Sequence, residues 1–193
     1  MSDRVRLLDL EQLGTEPGLP ALTVSAGRYL AEAAAVCLHA NAHTVGVTLT
    51  VSGAETTSFE LRWQQVSQQM INTYFDLQDA TEDGACGVAI LLIRELAGLS
   101  VVQRSRKCTG IDYWLGDDTG VGASVPLVFE HQARLEVSGI LRGSASDVNR
   151  RVSRKRRQVE RSTGTPVYVV VIEFGTPFAR VEKSDASADQ STS

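Results

Sequence analysis

The sequence predicts an α/β protein built on a mixed β-sheet, and three observations carry that expectation. Strand-like runs recur along the chain, from the alternating TVGVTLTV at 44–51 to the unbroken apolar VYVVVIEF at 167–174. Helix-like segments lie between them at 24–39, 82–96 and 144–162. In the second half the order is helix, three strands, helix, strand, a pattern in which helices cover a sheet. Composition agrees. At 193 residues, 42% hydrophobic and 22% charged, the chain suits one globular domain, or one domain with a small extension.

Residues 1–20 carry Gly14, Pro17, Gly18 and Pro20 and are expected to form an irregular arm. Segment 24–39 is rich in alanine, the best helix former. Segment 44–51 alternates β-branched residues as a strand does, a turn follows at 52–55, and 58–63 is the returning strand of a hairpin. Segment 64–77 has helical composition. Over 82–96, Ala85, Ala89, Leu92, Ile93 and Leu96 fall on one helical face, and Gly98 ends the helix. Strands are expected at 99–104, 111–115 and 133–140. The Gly-rich 116–122 lacks phosphate-loop spacing and is expected to be a turn. Helix 144–162 can be capped by Ser144 or Ser146. Segment 167–174 is apolar throughout, as a strand covered on both faces is. These elements divide into an N-terminal extension at 1–78 (arm, helix, hairpin, helix), a core at 79–183 and a tail at 184–193. The tail, SDASADQSTS, has too little apolar content to fold.

Bulk properties narrow the function. No apolar run approaches the ~20 residues of a membrane helix, and the polar start MSDRVRLLDLEQLG is unlike a signal peptide. A cytoplasmic protein with no membrane partner is expected. Cys37, Cys86 and Cys108 are odd in number and far apart, which fits reduced thiols. With His39, His43 and His131 as the only histidines, a zinc site is not expected. The formal net charge of -4 hides an asymmetry. Segment 148–161, VNRRVSRKRRQVER, holds seven Lys/Arg and one Glu, leaving 12 basic and 22 acidic residues elsewhere. A basic helix on an acidic body suits a phosphate backbone or an acidic protein surface. A plain solvated helix face is the competing account.

The order of elements and the placement of acidic residues resemble the restriction-endonuclease-like superfamily, the PD-(D/E)XK phosphodiesterases. The likeness covers about residues 80–175. That family's αβββαβ core carries an Asp on its second strand, where Asp112 stands within SRKCTGIDYWLGDD. Its third strand carries Glu-x-Lys or Asp-x-Lys, where this chain has Glu136-Val137-Ser138. Some branches add a Glu on the first helix, where Glu82 lies. The resemblance implies a metal-dependent DNA phosphodiester hydrolase. Glu82, Asp112 and Glu136 would hold Mg²⁺ (or Mn²⁺), and host defence or DNA repair would be the setting. Such chemistry needs a hard cation held by carboxylates, with a nearby ammonium to offset developing charge.

Ser138 departs from the family pattern, so either catalysis is lost or the lysine comes from elsewhere. On the basic helix, Val148, Val152 and Val159 form a stripe about 40° wide, and Lys155 falls within about 40° of its centre. The resemblance permits a catalytic residue on that helix, which makes Asp112, Glu136 and Lys155 the catalytic candidates. Gln158 and Lys107 are further candidates for the edge of the site. Arg104, Arg106, Lys107, Arg151, Arg154, Arg157 and Gln158 are candidate nucleic-acid contacts. Each residue also has a structural account. Glu82 with Asp79 has capping-box spacing. Asp112 can pair with a basic side chain, and Glu136 with Lys155. Trp114 and Tyr113 can be core residues or can stack on bases. Three functions therefore stay open. One is a nuclease. Another is an inactive nuclease fold that binds nucleic acid or scaffolds an assembly, as homodimer or subunit. The third is an unrelated interaction protein whose arm and hairpin dock a partner.

Overall fold

The computed structural model describes residues 6–15, 19–106, 109–117, 130–159 and 164–185. Lys107, most of the turn expected at 116–122, the end of the helix expected to reach 162 and the tail from 186 lie outside the described residues. Eight strands form one mixed sheet: β1 (Arg6–Asp9), β2 (Thr48–Ser52), β3 (Thr56–Arg62), β4 (Ser100–Arg104), β5 (Tyr113–Gly116), β6 (Ala133–Ile140), β7 (Val167–Glu173) and β8 (Phe178–Ser184). Their spatial order is β1-β3-β2-β8-β7-β6-β5-β4. Among the described residues four helices accompany them: α1 (Val24–Ala40), α2 (Gln68–Thr73), α3 (Leu77–Ala97) and α4 (Ala145–Val159). No helix among the described residues is long and apolar enough to cross a membrane.

Alternation along the strands sorts the two faces. Leu135 and Val137 of β6, and Val170 and Ile172 of β7, join the large cluster that contains α1 and α3. Val167, Val169 and Val171 point the other way, against Val148, Val152 and Val159 of α4. The stripe expected on the basic helix is therefore its buried seam. β6 and β7 are parallel and joined through α4, and β4, β5 and β6, where three strands are expected, form an antiparallel meander.

Local chemistry explains most boundaries. Thr23 caps α1, its side chain accepting from the Ala26 N–H. α3 begins earlier than expected because Asp76 caps it, accepting from the N–H groups of Gln78 and Asp79. Asp79 is thus inside the first turn and is not the cap. Gly98, with φ 66°, closes the helix in the left-handed conformation. Ser144 caps α4 reciprocally with Asp147. Between α3 and β6 the backbones touch: a Cβ on Gly139 would lie 2.3 Å from the Thr81 carbonyl oxygen.

Several expectations are corrected. The arm is not wholly irregular, since Arg6–Asp9 pairs in parallel with β3 and a 3₁₀ turn follows at Leu10–Gly14. The helix expected at 64–77 shrinks to α2, because Ser67 caps at that point. The strand expected from 111 starts at Tyr113, leaving Asp112 and Ile111 in the approach to it. β8 has no counterpart among the expected elements. It lies between β7 and β2 and joins the N-terminal hairpin to the rest of the sheet, with Val51 opposite Ala179.

Candidate functional site

Asp112 stands where β5 parts from β6. The chain turns at Gly110 (φ 76°) and Ile111 tucks against Val159 of α4, so the ladder beyond Tyr113 is interrupted. The Asp112 N–H still donates to the Leu135 carbonyl at 2.9 Å. Its carboxylate then does what the missing strand residue would have done. Oδ2 accepts from the Val137 N–H at 2.7 Å. A half-buried carboxylate is tolerated here because a backbone donor satisfies it.

Glu136 follows from the same ladder. It is 3% exposed on β6, on the α4 face. Its carboxyl hydrogen-bonds with Asp112 on one side and with the ammonium of Lys155 on the other. Burial, and next the negative charge of Asp112, push its pKa up to about 7, against the opposing pull of Lys155. Two residues on, Ser138 shares the face, and its Oγ accepts from Arg151 Nη1 at 3.0 Å. The polar ridge of α4 is thus laid over β6 in register, with Lys155 on Glu136 and Arg151 on Ser138. Asp112, Glu136 and Lys155 come together as the sequence expects.

Glu82 does not join them. It is exposed on α3, while its neighbour Asp83 faces a cleft of ≈ 210 Å³ that Asp112 also lines. Tyr29, Cys86, Arg104 and Tyr113 complete the polar part of that cleft. The Tyr29 hydroxyl hydrogen-bonds to Asp83, which raises the tyrosine's pKa. Burial, then the charge of Asp112, raises the Cys86 thiol, so that sulfur is a protonated wall residue. The helical stripe misled because α3 is buried round most of its circumference while Leu96, counted in the stripe, is exposed.

The basic candidates divide into two groups. Arg104 faces the cleft beside Asp112, and Arg106 is exposed in the loop after β4. Arg154, Arg157 and Gln158 are exposed on α4, remote from that loop in sequence, and Arg151 is half-buried against Ser138. Gln158 packs near Gly110, at the approach to Asp112. Trp114 stacks on His131, with centroids 4.4 Å apart and planes 12° apart, and packs against the α4 cluster. Tyr113 is a core residue at 5% exposure.

Two buried charges escaped notice in the sequence. Arg134 on β6 donates to the Thr165 carbonyl through Nε and Nη2. Glu173, at the end of β7, accepts from the N–H groups of Gly143, Gly175 and Thr176 and from the Thr176 hydroxyl, which ties the β6–α4 connection to the β7–β8 turn. Both sit in apolar-looking strands, where alternation gives no hint of a satisfied charge.

Among the described residues no group of three or more His, Cys, Asp or Glu side chains is gathered in a metal-binding arrangement. The donor set at the centre is the carboxylate pair Asp112–Glu136. No protein-family model matches the chain, and no match is found among curated proteins or solved structures.

Proposed function

We propose that the chain is a metal-dependent phosphodiester hydrolase acting on DNA, with a divergent restriction-endonuclease-like core formed by α3, the β4–β6 meander, α4 and β7. The observation that carries this reading is the contact of Asp112 with Glu136, together with Lys155 reaching Glu136 from α4. Two carboxyl groups in contact repel once both are ionised, and a divalent cation relieves that repulsion. The pair fits Mg²⁺ or Mn²⁺, hard ions that take oxygen ligands and are commonly held by one or two carboxylates plus water and phosphate. Such an ion would stabilise charge on a reacting phosphate and lower the pKa of a bound water. The chain's own residues supply the rest. The Val137 N–H fixes Asp112. Lys155 orients Glu136 and keeps a positive charge beside the centre.

A second reading is favoured by the closure of the same centre. Glu136 is buried and already neutralised by Lys155, and the Ser138 hydroxyl is already engaged by Arg151. On that reading the charges fasten α4 to the sheet, and the protein binds nucleic acid without cutting it, as part of a homodimer or larger assembly. Calorimetric titration with Mn²⁺ and Mg²⁺, beside cleavage assays on linear, supercoiled and single-stranded DNA with and without chelator, separates the two. Ion binding and ion-dependent cleavage that both vanish in Asp112→Asn and Glu136→Gln support the hydrolase. Absence of both in the folded wild type leaves the binding protein.

A further inference from the structure

α4 carries its guanidiniums in two directions. Arg156 turns to Glu182 of β8 at 3.6 Å. Arg150, Arg151 and Arg154 turn the other way and, with Arg142 from the β6–α4 connection and with Arg157, which also borders the Arg156–Glu182 side, line an open groove of ≈ 590 Å³. Five guanidiniums face one carboxylate there, Asp147, which already pairs with Arg150. Arg154 and Arg157 make no ion pair with a described residue. The groove's inner end is Arg151, bonded to Ser138 two residues from Glu136 on the same face. At the Asp112 cleft the balance is reversed, with Arg104 set against Asp83 and Asp112.

We propose that this groove is the docking track for the phosphodiester backbone of a nucleic-acid strand. The track works without a divalent ion, and it leads the strand from the carboxylate pair toward Arg150 and Arg142, away from the Arg104–Arg106 loop. The inference rests on the nucleic-acid reading above and adds the path, the charge carriers and independence from the ion. Every cation in the lining is an arginine, whose planar fork matches phosphate oxygens and whose weak hydration eases contact. The described lining holds no aromatic ring, so recognition is of backbone charge and carries little sequence preference. Arg142 is held in place by bonds to Asn41 Oδ1 and the Ala40 carbonyl, both 2.7 Å, which makes the outer end rigid.

The test is fluorescence anisotropy of a labelled short DNA, single-stranded and duplex, in chelator across a KCl series. The wild type binds in chelator, and log K falls against log salt with a slope of about -3 to -4. Replacing the exposed side chains together, Arg150→Gln, Arg154→Gln and Arg157→Gln, weakens binding at least ~10-fold and flattens the slope by about 2 to 3. Circular dichroism checks that the fold is kept. Arg104→Gln with Arg106→Gln stays within about twofold of wild type. A triple variant that binds like wild type overturns the track, as does a loss carried by Arg104 and Arg106. No wild-type binding overturns the track and the nucleic-acid part of the proposed function together. Groove-dependent binding without ion-dependent cleavage upholds the track and removes the hydrolase reading alone.

Discussion

Replacing Glu136 with glutamine should change how stability depends on pH. In the unfolded chain a glutamate titrates near its ordinary 4.5, whereas in the fold burial and Asp112 raise Glu136 to about 7. The sign follows from proton linkage. Between those two values the folded state holds a proton that the unfolded state has released, so folding weakens as pH rises through that window and levels off above about pH 7. The full span is worth about 3 kcal/mol, most of which falls between pH 5 and pH 8. A glutamine side chain cannot titrate, so the Glu136→Gln variant lacks this slope, while groups remote from Glu136 cancel in the difference from wild type. Urea denaturation of both proteins at a series of pH values, without divalent ions, reads it directly. The wild type should lose about 2–3 kcal/mol relative to the variant between pH 5 and 8. A difference that stays constant would show that Glu136 is ionised throughout. Lys155 would then outweigh burial, and the argument from carboxylate repulsion would fail.

Four further outcomes follow from the geometry. Asp112→Asn keeps an acceptor for the Val137 N–H and should cost under ~1 kcal/mol, while Asp112→Ala orphans that donor and costs about 1–3 kcal/mol by chemical denaturation. Lys155→Met leaves Glu136 buried without its cation and should raise the Glu136 pKa further, seen as a stability slope displaced to higher pH against the same glutamine reference. Glu173→Ala strips three backbone donors and a hydroxyl of their acceptor and should lower stability by about 3 kcal/mol or more, measured by thermal melting. Gly139→Ala forces a methyl onto the Thr81 carbonyl and should cost about 2–3 kcal/mol, with a lower Tm.

What could be read from the sequence was whatever a single period governs. β6 occupies the expected residues because its alternation is regular, and α4 buries the valine stripe with Lys155 beside it because one helical face is apolar and the rest is charged. Glu136 and Lys155 were legible as a pair for that reason. β8 was not, because FARVEKS carries its charges at positions where a central strand is normally apolar. Arg180 bonds to Ser52 Oγ and Glu182 while Glu182 meets Arg156, contacts that exist only once three elements are assembled. Asp83 was missed in favour of Glu82 because α3 is enclosed by α1 and the sheet, so its polar residues face clefts that a one-sided wheel does not describe. Asp112 was assigned to a strand from its apolar neighbours. The left-handed turn at Gly110 placed it at a ladder's end, where a side chain completes what the backbone leaves undone.

The position of β8 sets an order of events for a chain emerging from synthesis. β2 gains its second neighbour only from residues 178–180, more than a hundred positions later. Until those residues appear, the N-terminal hairpin and the β4–β7 unit each present an open sheet edge, and their shared apolar face is incomplete. Closure of so distant a pairing is intrinsically slow, and edges held open that long invite pairing with other chains. A chain cut after Phe174 would keep Asp112, Glu136, Lys155 and the arginine groove while leaving both edges permanently exposed. It should therefore self-associate with its candidate chemistry in place. β8 thus covers the facing edges of β2 and β7 and leaves β1 and β4 as the edges of the sheet.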